Sequence, residues 1–269
     1  MDGSNAQKKE IYTKRVHEYD QIINQLLKHE QNMLSILKGN AFGNGYKKIV
    51  LADDMIYLAT IYLAKFKLSV SLLGGKNENI LNEARKTLYK PLIYLEEIVT
   101  NFIDASYSEY EDKVSEIENI TEKQRFYLIR KLGLAINLVI DAYGENTKWK
   151  WSFIELEARF AVVTKNIMDL KKVSQTLLDP HSEVYDTVIY HLRLTKKLLQ
   201  QSADKYREKY EVATNEINDF KMAIQFLEAL RRIHLVLNEP RECEEVKRKL
   251  EIWKDKMEKD QKQKGKAKK

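Results

Sequence analysis

A chain of 269 residues with 43% apolar and 32% charged side chains can bury a core, which excludes wholesale disorder. Nine Gly and three Pro are too few for an all-β chain or for repeated Gly-rich βα turns, and the single cysteine, Cys243, permits neither an internal disulfide nor a multi-cysteine zinc site. The formal charge of +6 divides unevenly: the last eight residues, KQKGKAKK, hold Lys262, Lys264, Lys266, Lys268 and Lys269 and no acid, which leaves residues 1–261 at +1.

The opening MDGSNAQKKE is polar, lacks the apolar core of a secretion signal and is expected to be a flexible N-terminus over 1–10. Tyr19, Ile22, Ile23, Leu26, Leu27, Met33, Leu34 and Leu37 then follow helical spacing. After the loop GNAFGNG, a second helix is expected from about Asp53, with Asp53 as N-cap, to Leu73, where Gly74 and Gly75 supply a left-handed stop. It is apolar nearly all round and so expected to be central. Lys65 and Lys67 would each cost about 2.5–3.5 kcal/mol at the centre of a bilayer, so a buried helix is expected there and no transmembrane segment.

A third helix is expected over about 78–103, kinked or delayed by Pro91. Ser108 and Glu111 have capping-box spacing, as do Thr121 and Gln124 before the helix Phe126–Tyr143. A wide apolar face predicts a fifth long helix over about 147–178, and Ser182 and Glu183 open the next after Asp179-Pro180. The polar run 211–218 reads either as continuous helix or as a short break. A stripe from Ile217 to Leu237 and a last helix opening at Pro240 follow. The reading is all-α, about seven mostly long antiparallel helices in a single domain over 11–260, stacked as an irregular helical-repeat array or closed as a bundle, with a disordered Lys-rich tail over 261–269.

Residues 224–257, IQFLEALRRIHLVLNEPRECEEVKRKLEIWKDKM, resemble one tetratricopeptide-type helix pair. Leu227, Leu230 and His234 fall where that family places large residues on its first helix, Asn238-Glu239-Pro240 resembles its tight turn, and Cys243 and Leu250 take packing positions on its second. Arg231 and Lys247 depart from the pattern, and no second copy recurs at a 34-residue period. The resemblance implies a concave face that binds protein or peptide. At the level of fold it implies a kinship with helical-repeat proteins that scaffold large bacterial assemblies, including the periphery of flagellar motors.

Motifs for chemistry are sparse. The five histidines form no HExxH and no ExxH, and neither GxxxxGK[ST], GxGxxG nor GxSxG occurs. Cys243 sits among Glu242, Glu244 and Glu245, which disfavour a thiolate, so it reads as a packing residue. The adjacent pairs Asp53-Asp54 and Glu96-Glu97 diverge by about 100° on a helix and do not share a substrate. No catalytic, cofactor or metal residue is expected, and the chain reads as a non-enzymatic, cytoplasmic scaffold or adaptor.

The surface features are sharper. Lys148-Trp149-Lys150-Trp151 opens a helix with its two Trp about 200° apart, so both cannot face one core stripe: either neighbouring helices cover both, or one stays exposed as a binding anchor, which makes the four residues candidates for protein binding. Among fifteen Tyr, Tyr185 and Tyr190 stand at the edge of a stripe and are candidates for the same protein groove. Lys262, Lys264, Lys266, Lys268 and Lys269 are candidate anionic contacts, for nucleic acid or an anionic surface.

Overall fold

A computed structural model describes residues 2–39, 42–145 and 147–267, with side chains over 5–39, 42–145 and 147–264. Every regular element among the described residues is helical, and the fold is all-α. In chain order the α-helices are α1 (Asp2–Gly39), α2 (Asn44–Leu73), α3 (Glu78–Thr87), α4 (Tyr89–Ile98), α5 (Glu111–Ser115), α6 (Glu122–Tyr143), α7 (Lys150–Asn166), α8 (Leu170–Leu177), α9 (Tyr185–Glu208), α10 (Ile217–Val236) and α11 (Pro240–Ala267). A 3-10 turn (Tyr107–Glu109) precedes α5, and a π-helical segment (Lys209–Thr214) follows α9. The count of eleven among the described residues exceeds the seven expected because four of the segments between the expected junctions each hold two helices: α3 and α4, α5 and α6, α7 and α8, and α9 and α10.

The expected ends and domain boundaries differ too. α1 begins at Asp2, where a flexible terminus was expected, and α11 runs through the expected tail to Ala267. The chain forms two compact units. Unit 1 takes residues 1–98, 116–119 and 127–147, and unit 2 takes 99–115, 120–126 and 148–269. Helix α6 is divided between them at residue 126.

In unit 1, α1, α3 and α4 pack on α2. Helix α2 starts nine residues before the expected cap: Gly43, in the left-handed region at φ 66°, turns the chain into Asn44. Asp53 is therefore mid-helix, where it pairs with Lys131 instead of capping. The stop at Gly74, φ 69°, is as expected, its N–H bonded to the Val70 carbonyl. Gly45 is required by a close approach, because a Cβ there would lie 2.7 Å from Ile117 Cγ2. Leu51, Ala52, Met55, Leu58 and Ala59 are fully buried. The helix is long and apolar enough to cross a membrane, with a mean hydropathy of 1.4 over its most apolar window, 39% of which is buried within the fold. Polar pairs tie α1 down: the Tyr94 hydroxyl donates to Glu30 at 2.6 Å, Lys90 reaches the same carboxylate at 2.5 Å, and Lys65 meets Asp20 at 2.5 Å. The expected third helix is two. It breaks at Leu88, and Pro91 sits in the first turn of α4, where a missing N–H costs nothing.

In unit 2, α9 packs on α7, α8 and α10, and α11 packs on α10. The Thr121–Gln124 capping box is present, with Gln124 N–H donating to Thr121 Oγ1 at 3.2 Å and Thr121 N–H to Gln124 Oε1 at 2.9 Å. The other box forms two residues earlier than expected, between Ser106 and Glu109. The stretch 147–178 breaks at Asp169, whose carboxylate caps α8 by accepting from Lys172 N–H. Helices α7 and α9 run antiparallel: Lys150 pairs with Glu208, Lys205 with Glu157, and His191 with the Thr164 carbonyl. A core of Ile154, Leu199, Phe220, Phe226, Leu227, Leu250 and Trp253 spans α7, α9, α10 and α11. Burying Phe220 and Phe226 completely stabilises the unit by about 1.5–3 kcal/mol each.

Candidate functional site

Buried polar groups are the first place to look for chemistry. Unit 2 buries Thr164, Lys165 and Asn166 in succession, with Arg125, Glu122, Asp169 and His191 also buried. Burial pulls Lys165 down to about 8 and His191 down to about 4, and pushes Glu122 up to about 7 against the opposing pull of Arg125. Burial alone would also raise Asp169, but the Lys172 N–H and the Tyr107 hydroxyl, 2.9 Å away, hold it below the usual range.

The donors of this cluster bond backbone carbonyls. Lys165 Nζ donates to Ala105 O at 3.2 Å, and the Asn166 amide to Thr100 O and Phe102 O at 2.8 and 3.2 Å. Arg125 bonds Ile120 O at 2.9 Å and Ile167 O at 2.7 Å, and His191 Nε2–H bonds Thr164 O at 2.9 Å. Irregular backbone inside a protein must have its carbonyls satisfied, and these side chains do that for 99–121 and for the end of α7. These bonds fasten the segment to α7, and burial is the main cause of the shifts at Lys165, His191 and Glu122.

The sequence-predicted residues divide into two places. Lys148 and Lys150 are exposed, and Trp149 and Trp151 are both half-buried. Trp151 packs against the unit 2 core, with Lys150 4.9 Å from its ring centre, while Lys148 lies 5.5 Å from that of Trp149. Tyr185 is half-buried and Tyr190 is 56% exposed, near the start of α9. Lys150 pairs with Glu208 at the end of that helix, eighteen residues and about 27 Å from Tyr190. The Trp and Tyr candidates therefore do not share a groove. Of the tail lysines, Lys262 is exposed and Lys264 half-buried; the side chains of Lys266, Lys268 and Lys269 lie outside the described residues.

One residue beyond Glu208 the chain enters the π-helical segment, which sequence reading left as helix or break. Asn215, left-handed at φ 52°, closes it by donating its N–H to the Tyr210 carbonyl at 2.9 Å, five residues back. Such segments often mark functional sites because the wider turn displaces side chains from the helical pattern. Beside it opens a cavity of about 690 Å³ walled by Tyr210, Val212, Asn215, Lys256, Asp260 and Lys264. Its acids are held: Asp260 accepts from the Tyr210 hydroxyl at 2.7 Å and lies 3.4 Å from Lys256, and Glu211 pairs with Arg207 at 2.6 Å. The Tyr210 bond is the main cause holding Asp260 below its usual range, and burial, then that bond, pushes Tyr210 up to about 12. Lys264 donates to the Asn215 carbonyl and lies 5.4 Å from the Tyr210 ring, and its charge adds to that of Lys256 in lowering Asp260. Val212 stands 73% exposed at the cavity.

These elements define an all-helical protein with an open cavity beside its π-helical segment. Residues 8–261 match the model of the TP0443 family, and the chain belongs to that family. Comparison with curated proteins and with solved structures gives no match.

Proposed function

We propose that this chain is a non-enzymatic protein–protein interaction scaffold or adaptor, working in the cytoplasm, with α2 as a core helix of unit 1. It engages its partner at the end of unit 2 where α7 begins and the π-helical segment lies. The carrying observation is the open cavity beside that segment, with exposed Val212 on its wall and Lys150, next to half-buried Trp149 and Trp151, ion-paired to Glu208. Aromatic side chains that keep one edge in water are suited to hot spots.

Support for a tetratricopeptide-like component comes from the α10–α11 pair. Leu227, Leu230, His234, Cys243 and Leu250 are all buried there, and Asn238, left-handed at φ 53°, makes the turn. A role in a larger bacterial assembly, such as the periphery of a flagellar motor, follows from that likeness alone. Cross-linking followed by identification of co-purified proteins tests the reading. A specific partner recovered with the native chain should be lost with Trp149→Ala and Trp151→Ala. Undiminished recovery by both folded variants overturns this site.

A further inference from the structure

We infer that the cavity beside the π-helical segment takes an acidic peptide segment carrying an apolar side chain. The inference rests on the interaction reading above and names the partner's chemistry.

The wall has two kinds of surface. Val212, 73% exposed, and the ring of Tyr210 give an apolar face, and a volume of about 690 Å³ accommodates more than one side chain. An exposed valine on an irregular turn exposes apolar area that a peptide side chain would cover. The charged face is what selects the occupant. Glu211 is committed to Arg207, and Asp260 is held by Tyr210 and Lys256. Lys264 donates to a carbonyl and lies over a ring; its charge also helps hold Asp260 down, but after that of Lys256, which makes the ion pair, so Lys264 is the less committed cation of the wall and the one open to an incoming carboxylate. Lys259 and Lys262 are exposed on the same helix end. Among the described side chains, residues 256–264 hold Lys256, Lys259, Lys262 and Lys264 against Glu258 and Asp260, so the potential there is positive. All these cations are Lys, which attracts carboxylates as a point charge without the planar fork that reads bases or phosphates in pairs.

Binding of a fluorescein-labelled peptide of alternating Glu and Leu, followed by anisotropy, tests the assignment. A Gln/Leu peptide and a thymidine oligonucleotide of matching charge serve as comparisons. The Glu/Leu peptide should bind about ten-fold more tightly than the Gln/Leu peptide and weaken several-fold between about 50 and about 200 mM NaCl. Lys264→Glu and Val212→Glu should each cost about ten-fold. Lys197→Glu, the same charge change at an exposed position on α9, should cost less than about two-fold. Far-ultraviolet circular dichroism establishes that each variant is folded.

Equal binding of the two peptides overturns the inference. So does an equal effect of Lys197→Glu and Lys264→Glu, which would mean that bulk charge is being read. An oligonucleotide that binds as tightly as the Glu/Leu peptide and is displaced by Val212→Glu overturns it in favour of nucleic acid. If the Trp variants lose a cross-linked partner while the Glu/Leu peptide fails to bind, the interaction reading stands and the acidic class falls.

Discussion

Glu122 carries the largest testable consequence of a single residue. It is 7% exposed, Arg125 is 3.5 Å away with its own hydrogen bonds on Ile120 and Ile167, and burial pushes its carboxyl from 4.5 up to about 7. A carboxyl raised in the folded state binds its proton more tightly there than in the unfolded chain. Its contribution is fully present below the unfolded value of 4.5 and is lost as pH rises through about 7. Glu122→Gln removes that loss. Thermal unfolding at pH 5 and pH 8 should show the native chain losing on the order of 2 kcal/mol more than the variant between the two conditions. An equal loss in both proteins would mean that Glu122 keeps its charge when folded. None of this is visible in the sequence, where Glu122 reads as an ordinary first-turn carboxylate favoured by the helix dipole.

At the scale of elements, the close approach of α2 to residue 117 rests on Gly45. Placing a methyl group 2.7 Å from Ile117 Cγ2 forces a shift, so Gly45→Ala should destabilise by about 1–3 kcal/mol. In an Ile117→Ala background the same change should cost little, and the two effects should fail to add by a similar amount in urea unfolding. A full cost in both backgrounds would place the strain elsewhere.

Elements also mark where the sequence was readable. Gly74, the Thr121 box, Pro240 and the helical stripes each act through neighbours within a few residues, so their outcome was legible. The breaks at Leu88 and Asp169 were not, because apolar periodicity continues across both; tertiary satisfaction of Thr100, Ala105 and Ile167 carbonyls decides the second region. The π-helical segment was equally hidden: EVATNEIN is compatible with helix, and the cavity comes from α11 passing alongside. The Trp pair was recognised, but its separation from Tyr190 depends on the direction of α9 and not on spacing.

For the whole molecule, the division into units predicts which pieces fold. Unit 1 includes 127–147 as well as 1–98, so a fragment ending at residue 98 lacks part of its own core. Ile129, Leu132, Ile136 and Val139 on α6 are all buried and belong to that missing part. Fragment 1–98 should melt broadly, while fragment 1–147 should regain a cooperative transition, as followed by circular dichroism. Matching sharp transitions in both fragments would make α6 dispensable to unit 1.

The same division has a consequence in time. A ribosome releases the chain from its N-terminus, and residues 99–126 emerge long before what they hold and are held by. Lys165 and Asn166, which donate to carbonyls of that segment, and Ile167, whose carbonyl accepts from Arg125, belong to the last 122 residues, 148–269. At about 5–20 residues per second those residues take about 6–25 s to synthesise. Throughout that interval Phe126 lacks the His191 ring and Tyr110 lacks the Lys165 ammonium that they meet in the folded chain, so translation speed past residue 147 sets how long a sticky intermediate persists.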